Sequence, residues 1–139
     1  MVALAERIAD FFAQPVWAVV GASRDPEKES HQLVLTLRAL GHRVYPVNPQ
    51  APEVAGLPAY PNLSALPERP DVVVIAVRPE RARPYLEEAA RLGVRRVWFQ
   101  PGADDPDVVA LAERLGLTVV HQACALLTSR LRLKERSGG

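Results

Sequence analysis

The sequence predicts an α/β domain built on one open parallel sheet of about five strands with helices on both faces. Three observations carry that expectation. Runs of β-branched and aliphatic residues alternate with segments of helical period along the whole chain. In the run at 71–77, DVVVIAV, every residue after Asp71 is apolar with no polar alternation, as expected of a strand covered on both faces. Gly41, Gly93 and Gly116 each close a helical segment, where a helix C-terminus favours a left-handed residue.

The elements follow in order. Leu4, Ile8, Phe11 and Phe12 recur at helical spacing and place a helix over 1–12, stopped before strand 16–20 by Pro15. Helix 30–40 carries Leu33, Val34, Leu37 and Leu40 on one face. Strand 43–47 is stopped by Asn48-Pro49. Segment 51–70 is rich in proline. It is expected to hold a short extended piece within 54–60, kept at an edge by Pro58, and a turn of helix near 63–66. Strand 71–77 ends at Arg78-Pro79. The next helix runs to Leu92 and starts between Pro79 and Pro84, since Pro84 suits a first turn better than an interior. Strand 94–99 closes on Gln100-Pro101-Gly102. Helix 105–115, strand 117–120 and helix 123–133 complete the alternation, and 134–139 is expected to fray.

Composition bounds the function. The 139 residues, 48% hydrophobic and 24% charged, suit a single domain over 1–139 with an ordinary core. A net charge of +1 gives no broad electrostatic case for nucleic acid or a membrane surface. No apolar run approaches the roughly 20 residues of a membrane span. Glu6, Arg7 and Asp10 interrupt the N-terminal apolar pattern, so a signal peptide is not expected. Cys124 is the one cysteine, which fits a reducing, cytoplasmic compartment.

The chemistry is expected at the sheet's carboxyl edge, where open parallel sheets hold ligands. The first strand delivers Gly21-Ala22-Ser23-Arg24 to a helix start, a loop suited to an anionic, phosphorylated ligand. It lacks the second and third glycines of a dinucleotide loop. Val47-Asn48-Pro49 follows strand two, with no acidic residue for a ribose hydroxyl, which counts against a nicotinamide nucleotide. Ala76-Val77-Arg78-Pro79 leaves the central strand, and Arg78 offers a fork of donors to a phosphate. Arg24, Lys28 and Arg81 add cations near the same edge. Gln100-Pro101-Gly102 and His121-Gln122-Ala123-Cys124 complete it. No base, acid and amide set around Cys124 suggests a nucleophile, and a buried structural thiol is expected. His31 and His42 lack metal-ligand spacing, so no metal site is expected. Glu87-Glu88 and Asp104-Asp105 read as solvated helix surface or termini. Trp98 or Phe99 marks an interface if either proves uncovered.

Five motifs in order, VVGASRDPEK, GHRVYPVNP, PDVVVIAVRPE, GVRRVWFQPGA and GLTVVHQAC, resemble the small stand-alone CoA-binding proteins. These are similar to the N-terminal CoA-binding domain of the succinyl-CoA synthetase alpha subunit and of NDP-forming acyl-CoA synthetases. The resemblance covers roughly residues 13–131 and implies coenzyme A, or an acyl-CoA, across the carboxyl edge of a Rossmann-like sheet. It implies phosphates by Gly21, Ala22, Ser23 and Arg24. Val47, Asn48 and Pro49 line the adenosine side. Ala76, Val77, Arg78 and Pro79 cover the nucleotide from the other side. Gln100, Pro101, Gly102 and Cys124 lie toward the pantetheine arm.

The chain departs from the family in Ala125 where Cys-Pro is common, and in Gln50 where a basic residue often follows Asn-Pro. It ends before the domain that carries the synthetases' phosphorylatable histidine, so catalysis by this chain alone is not expected, and a protein partner is an open expectation. Two further readings stay open: a nicotinamide-nucleotide regulator, and a redox-active subunit using Cys124.

Overall fold

A computed structural model describes residues 3–138. Helix α1 (Leu4–Phe12) leads into strand β1 (Val16–Val20), helix α2 (Glu29–Ala39) and strand β2 (Arg43–Val47). A two-stranded hairpin, β3 (Glu53–Val54) and β4 (Leu57–Pro58), and a 3-10 turn (Leu63–Ala65) fill the proline-rich segment. Then come β5 (Val72–Ile75), α3 (Pro79–Arg91), β6 (Arg96–Phe99), α4 (Pro106–Arg114), β7 (Thr118–Val120) and α5 (Ala125–Gly138).

The five long strands form one parallel sheet in the order β2-β1-β5-β6-β7. Tyr60 adds a single parallel bridge beside Val47 at the outer edge of β2. Its N–H donates to the Pro46 carbonyl at 3.0 Å, and its carbonyl accepts from Asn48 N–H at 2.9 Å. Strand order reverses between β1 and β5, the place where open sheets leave a crevice. Val20 pairs with Val47 on one side and Ile75 on the other, so three strands end level beneath that crevice.

Burial follows the pleat. Ala18, Val20, Val73, Ile75, Val97 and Phe99 meet α3 and α4 on one face. Trp17, Val19, Val72, Val74 and Trp98 meet α1, α2 and α5 on the other. Trp17 and Trp98 are fully buried, and their indole N–H groups donate to the carbonyls of Gln14 and Ala123. Burying a side chain of that size contributes about 1.5–3 kcal/mol, and the satisfied N–H avoids the offsetting penalty. Trp98 and Phe99 are both fully covered, so neither marks an interface.

Four local expectations are corrected. Pro84 lies inside α3, which begins at Pro79. Pro84 and Glu80 are exposed, so the Glu80 carbonyl that loses its helical partner can reach water. The central strand is shorter than 71–77: its paired residues are Val72–Ile75, flanked by backbone bonds from Asp71 N–H to the Val16 carbonyl at 2.8 Å and from Ala76 N–H to the Val20 carbonyl at 2.9 Å, and Val77 lies beyond the ladder. The segment 134–138 continues α5 instead of fraying, held where Arg136 Nη1 donates to the Leu40 carbonyl; Gly139 lies outside the described residues. Glu88 is buried, not solvated: its carboxylate accepts from Leu63 N–H at 2.9 Å, Ser64 N–H at 3.1 Å and Ser64 Oγ at 2.6 Å. It anchors the 3-10 turn to α3.

At the far edge of the sheet, Arg7 Nη1 donates to the Val119 carbonyl of β7 at 2.8 Å. Between β3 and β4, Ala55 and Gly56 have φ of 54° and 78°, the signature of a type I′ turn.

Candidate functional site

The loop after β1 is tied down from three sides. Gly21 N–H donates to the Val47 carbonyl at 2.9 Å. Asn48 Nδ2 donates to the Ala22 carbonyl at 2.9 Å, and Asn48 Oδ1 accepts from Gln50 N–H at 2.8 Å. Ser23 N–H donates to Ser30 Oγ at 3.1 Å, while the Ser23 carbonyl accepts from His31 Nδ1 at 2.8 Å. A carbonyl only accepts, so His31 carries its proton on Nδ1. The loop is therefore preformed by the first turn of α2 and by the residue after β2.

Gly21 is needed for a different reason than an open N–H. Its φ is +88°, and a Cβ there would stand 2.8 Å from Val77 Cγ1 and 3.0 Å from the Ala76 carbonyl carbon. The glycine lets the exits of β1 and β5 touch. The Gly21 and Ser23 N–H groups are already bonded, whereas those of Ala22 and Arg24 in the same loop have no acceptor among the described residues. The Glu29 and Ser30 N–H groups, at the start of α2, have no acceptor among the described residues.

Above this junction lies a cavity of about 460 Å³. Gly21 and Ser23 form its floor, Lys28, Glu29 and Ser30 one wall, and Ala76, Val77 and Arg78 another. Gln100, Pro101, Gly102 and Ala103 close the β6 side. A second cavity of about 300 Å³ shares Gly21, Ser23, Ala76 and Val77 with the first, and extends past Asn48, Pro49 and Gln50 to Arg81 and Tyr85. A third, of about 440 Å³, lies over Ser23, Arg24, Asp25, Asn48 and Gln50.

The sequence-derived set thus largely converges, but its members divide by role. Gly21, Ser23, Asn48, Pro49, Ala76, Val77, Arg78, Gln100, Pro101 and Gly102 line the two joined cavities, and Arg24 the third. Ala22 and Val47 are fully buried and serve through their carbonyls. Pro79 is the first residue of α3, where a missing N–H costs nothing.

Gln100 is a structural staple as well as a lining residue. Its Oε1 accepts from Ala125 N–H at 2.6 Å and its Nε2 donates to Cys124 Sγ at 3.7 Å. Cys124 is half-buried behind it, outside the lining of the large cavity. The imidazole of His121 makes no hydrogen bond to this thiol.

Ser30, Lys28, Glu29, Arg81 and Tyr85 complete the walls. Lys28 and Arg81 are legible as nearby cations, but Ser30 and Tyr85 carry no sequence signal of their own. They arrive because α2 and α3 both start at the crevice. Tyr85 is half-buried, which pushes its phenol up; Glu88 adds to that, and the Arg81 charge opposes it.

The arrangement suits a long anionic ligand. The start of α2, with its two unspent N–H groups, lines one chamber together with Lys28 and Arg78, two cations against the single Glu29 carboxylate, and an aromatic ring, a proline face and a cation line the other. Among the described residues no three His, Cys, Asp or Glu side chains group to hold a metal ion, and no helix is long and apolar enough to cross a membrane.

Comparison with known proteins bears on that ligand. The profile of the CoA binding domain family matches residues 15–130. The chain is 28% identical over 127 residues to the acetate–CoA ligase (ADP-forming) II subunit alpha of Pyrococcus furiosus, covering 83% of this chain and 28% of that subunit. It therefore spans little more than a quarter of the ligase subunit's length. It is 28% identical over 107 residues to the uncharacterized protein YneT of Bacillus subtilis, covering 77% of this chain and 79% of that protein. A solved structure of a hypothetical protein from Pyrococcus horikoshii OT3 superposes with a TM-score of 0.84 at 30% identity, covering 99% of this chain and 94% of that one.

Proposed function

The chain belongs to the CoA binding domain family, and from that premise we propose that it binds coenzyme A or an acyl-CoA across the two joined cavities. One observation carries the reading. A chamber of about 460 Å³ and one of about 300 Å³ meet over Gly21, Ala76 and Val77, at the reversal of strand order. A ligand with a nucleotide at one end and a long arm at the other matches that bipartite shape.

The diphosphate would be held where Lys28, Ser30 and Arg78 meet the start of α2, since helix N–H groups and cations both favour a dianion. The adenosine end would lie between Pro49 and Tyr85. The pantetheine arm would pass Pro101 and Gly102. In this reading the chain holds its ligand, and any acyl or phosphoryl chemistry belongs to a partner protein. The similarity to part of an ADP-forming ligase subunit supports that division of labour.

Calorimetric titration with CoA, acetyl-CoA, NADH and ATP tests the reading. Micromolar binding of CoA or acetyl-CoA, in preference to NADH and ATP, is the expected result. Preference for NADH would overturn it. Exposed charges contribute to the expected contacts, so affinity should fall as salt rises.

A further inference from the structure

Gln50 is neutral and follows Asn48-Pro49 on one wall of the smaller chamber. The opposite wall is the first part of α3, where Arg81 and Tyr85 stand one helical turn apart. Arg81 is the sole charged residue lining this chamber. It joins none of the ion pairs among the described residues, which are Arg43–Glu68, Arg83–Glu87 and Arg96–Asp10. Arg24, the other cation within reach of Asn48 and Gln50, lines the neighbouring recess beside Asp25. That recess is lined by neither Pro49 nor Tyr85, the two flat faces of the chamber.

The chamber therefore offers an aromatic ring and a proline face for a base, with one uncompensated guanidinium at the rim. A guanidinium presents its donors as a planar fork that matches two oxygens of a phosphate monoester. We propose that Arg81, reaching in from α3, recognises the 3′-phosphate of the bound nucleotide and so makes the site selective for 3′-phosphorylated adenosine ligands. The inference rests on the CoA reading above and names a specificity residue within it. Binding the dianion there would also complement the N-terminal half of α3.

The experiment compares CoA with 3′-dephospho-CoA by calorimetry, in wild type, Arg81→Gln, Arg81→Lys and Arg24→Gln. Circular dichroism checks that each variant is folded. Arg81 is exposed, and its backbone N–H bond to the Arg78 carbonyl survives substitution. Wild type should prefer CoA by about tenfold, the size of one partly exposed charge-assisted pair. Arg81→Gln should bind both ligands with the wild-type affinity for dephospho-CoA. Arg81→Lys should keep part of the preference, and Arg24→Gln all of it. Equal affinity of wild type for the two ligands overturns the assignment while leaving CoA binding intact. So does a preference that survives in Arg81→Gln or is lost in Arg24→Gln. Wild type that binds neither ligand overturns the CoA reading, and the role of Arg81 with it.

Discussion

Replacing Gly21 by alanine isolates the contact on which the crevice is built. Two costs add. The first is conformational: a side chain at φ +88° costs roughly 1–2 kcal/mol. The second is steric. The new Cβ would lie 2.8 Å from Val77 Cγ1 and 3.0 Å from both the carbonyl carbon and the oxygen of Ala76. Two of those three atoms are backbone at the end of β5 and cannot rotate away. Overpacking of that kind typically costs about 1–3 kcal/mol.

Gly116 supplies the control. Its φ is +86°, almost the same, and a Cβ there meets nothing within 4 Å. Gly116→Ala should therefore lose roughly 1–2 kcal/mol, the conformational cost alone. Gly21→Ala should lose roughly 2–5 kcal/mol, the sum of the two ranges. Urea denaturation of both variants measures the pair, and the difference between them is the steric contribution. Because Gly21, Ala76 and Val77 line both chambers, CoA affinity should fall in Gly21→Ala and hold in Gly116→Ala. Equal destabilisation by the two substitutions would refute the close-approach argument.

Three further outcomes are expected. Ala55→Gly should stabilise the β3–β4 turn by roughly 0.5–1 kcal/mol, because alanine carries a penalty in the left-handed region; an unchanged thermal midpoint would speak against the type I′ assignment. Glu88→Ala should cost about 3 kcal/mol by leaving the Leu63 and Ser64 donors without their carboxylate, and a loss under about 1 kcal/mol in denaturant would show that the 3-10 turn stands without it. Burial holds the His42 imidazole below its ordinary 6.5, with Arg136 and Arg132 adding to that and the Gln14 bond opposing it. The unfolded chain then binds the proton first, so stability should fall as pH drops through about 6.5 and level off below the folded value. Melting curves from pH 8 to 5 on wild type and His42→Gln should show this slope reduced in the variant.

Much of the fold could be read from the chain because burial and period coincide in it. The non-alternating run VWAVV forms β1 with every residue buried, as its composition requires. What escaped was decided by contacts distant in sequence. Nothing near Glu88 shows that Leu63 and Ser64 will bring their N–H groups to it, a separation of 24 to 25 residues. The length of α5 depends on Leu40, 96 residues away from Arg136. At the site, strand ends were legible because turn residues mark them. Ser30 and Tyr85 were not, since their place depends on where α2 and α3 begin relative to the crevice. Gln100 showed its position but not its second duty, because the partner N–H belongs to Ala125.

The two margins of the sheet share a property with a consequence for how molecules of this protein meet. At one margin Pro46 has no N–H, and its carbonyl is already taken by Tyr60. At the other, β7 is three residues long, and the Val119 carbonyl is taken by Arg7. A stranger's strand arriving at either side finds few open donors or acceptors to zip against. Lateral polymerisation, the common failure of sheets with open flanks, is thus discouraged while the fold is intact. Removing the Arg7 guanidinium or the Tyr60 segment would expose a growth point, and fibril formation on heating would reveal it.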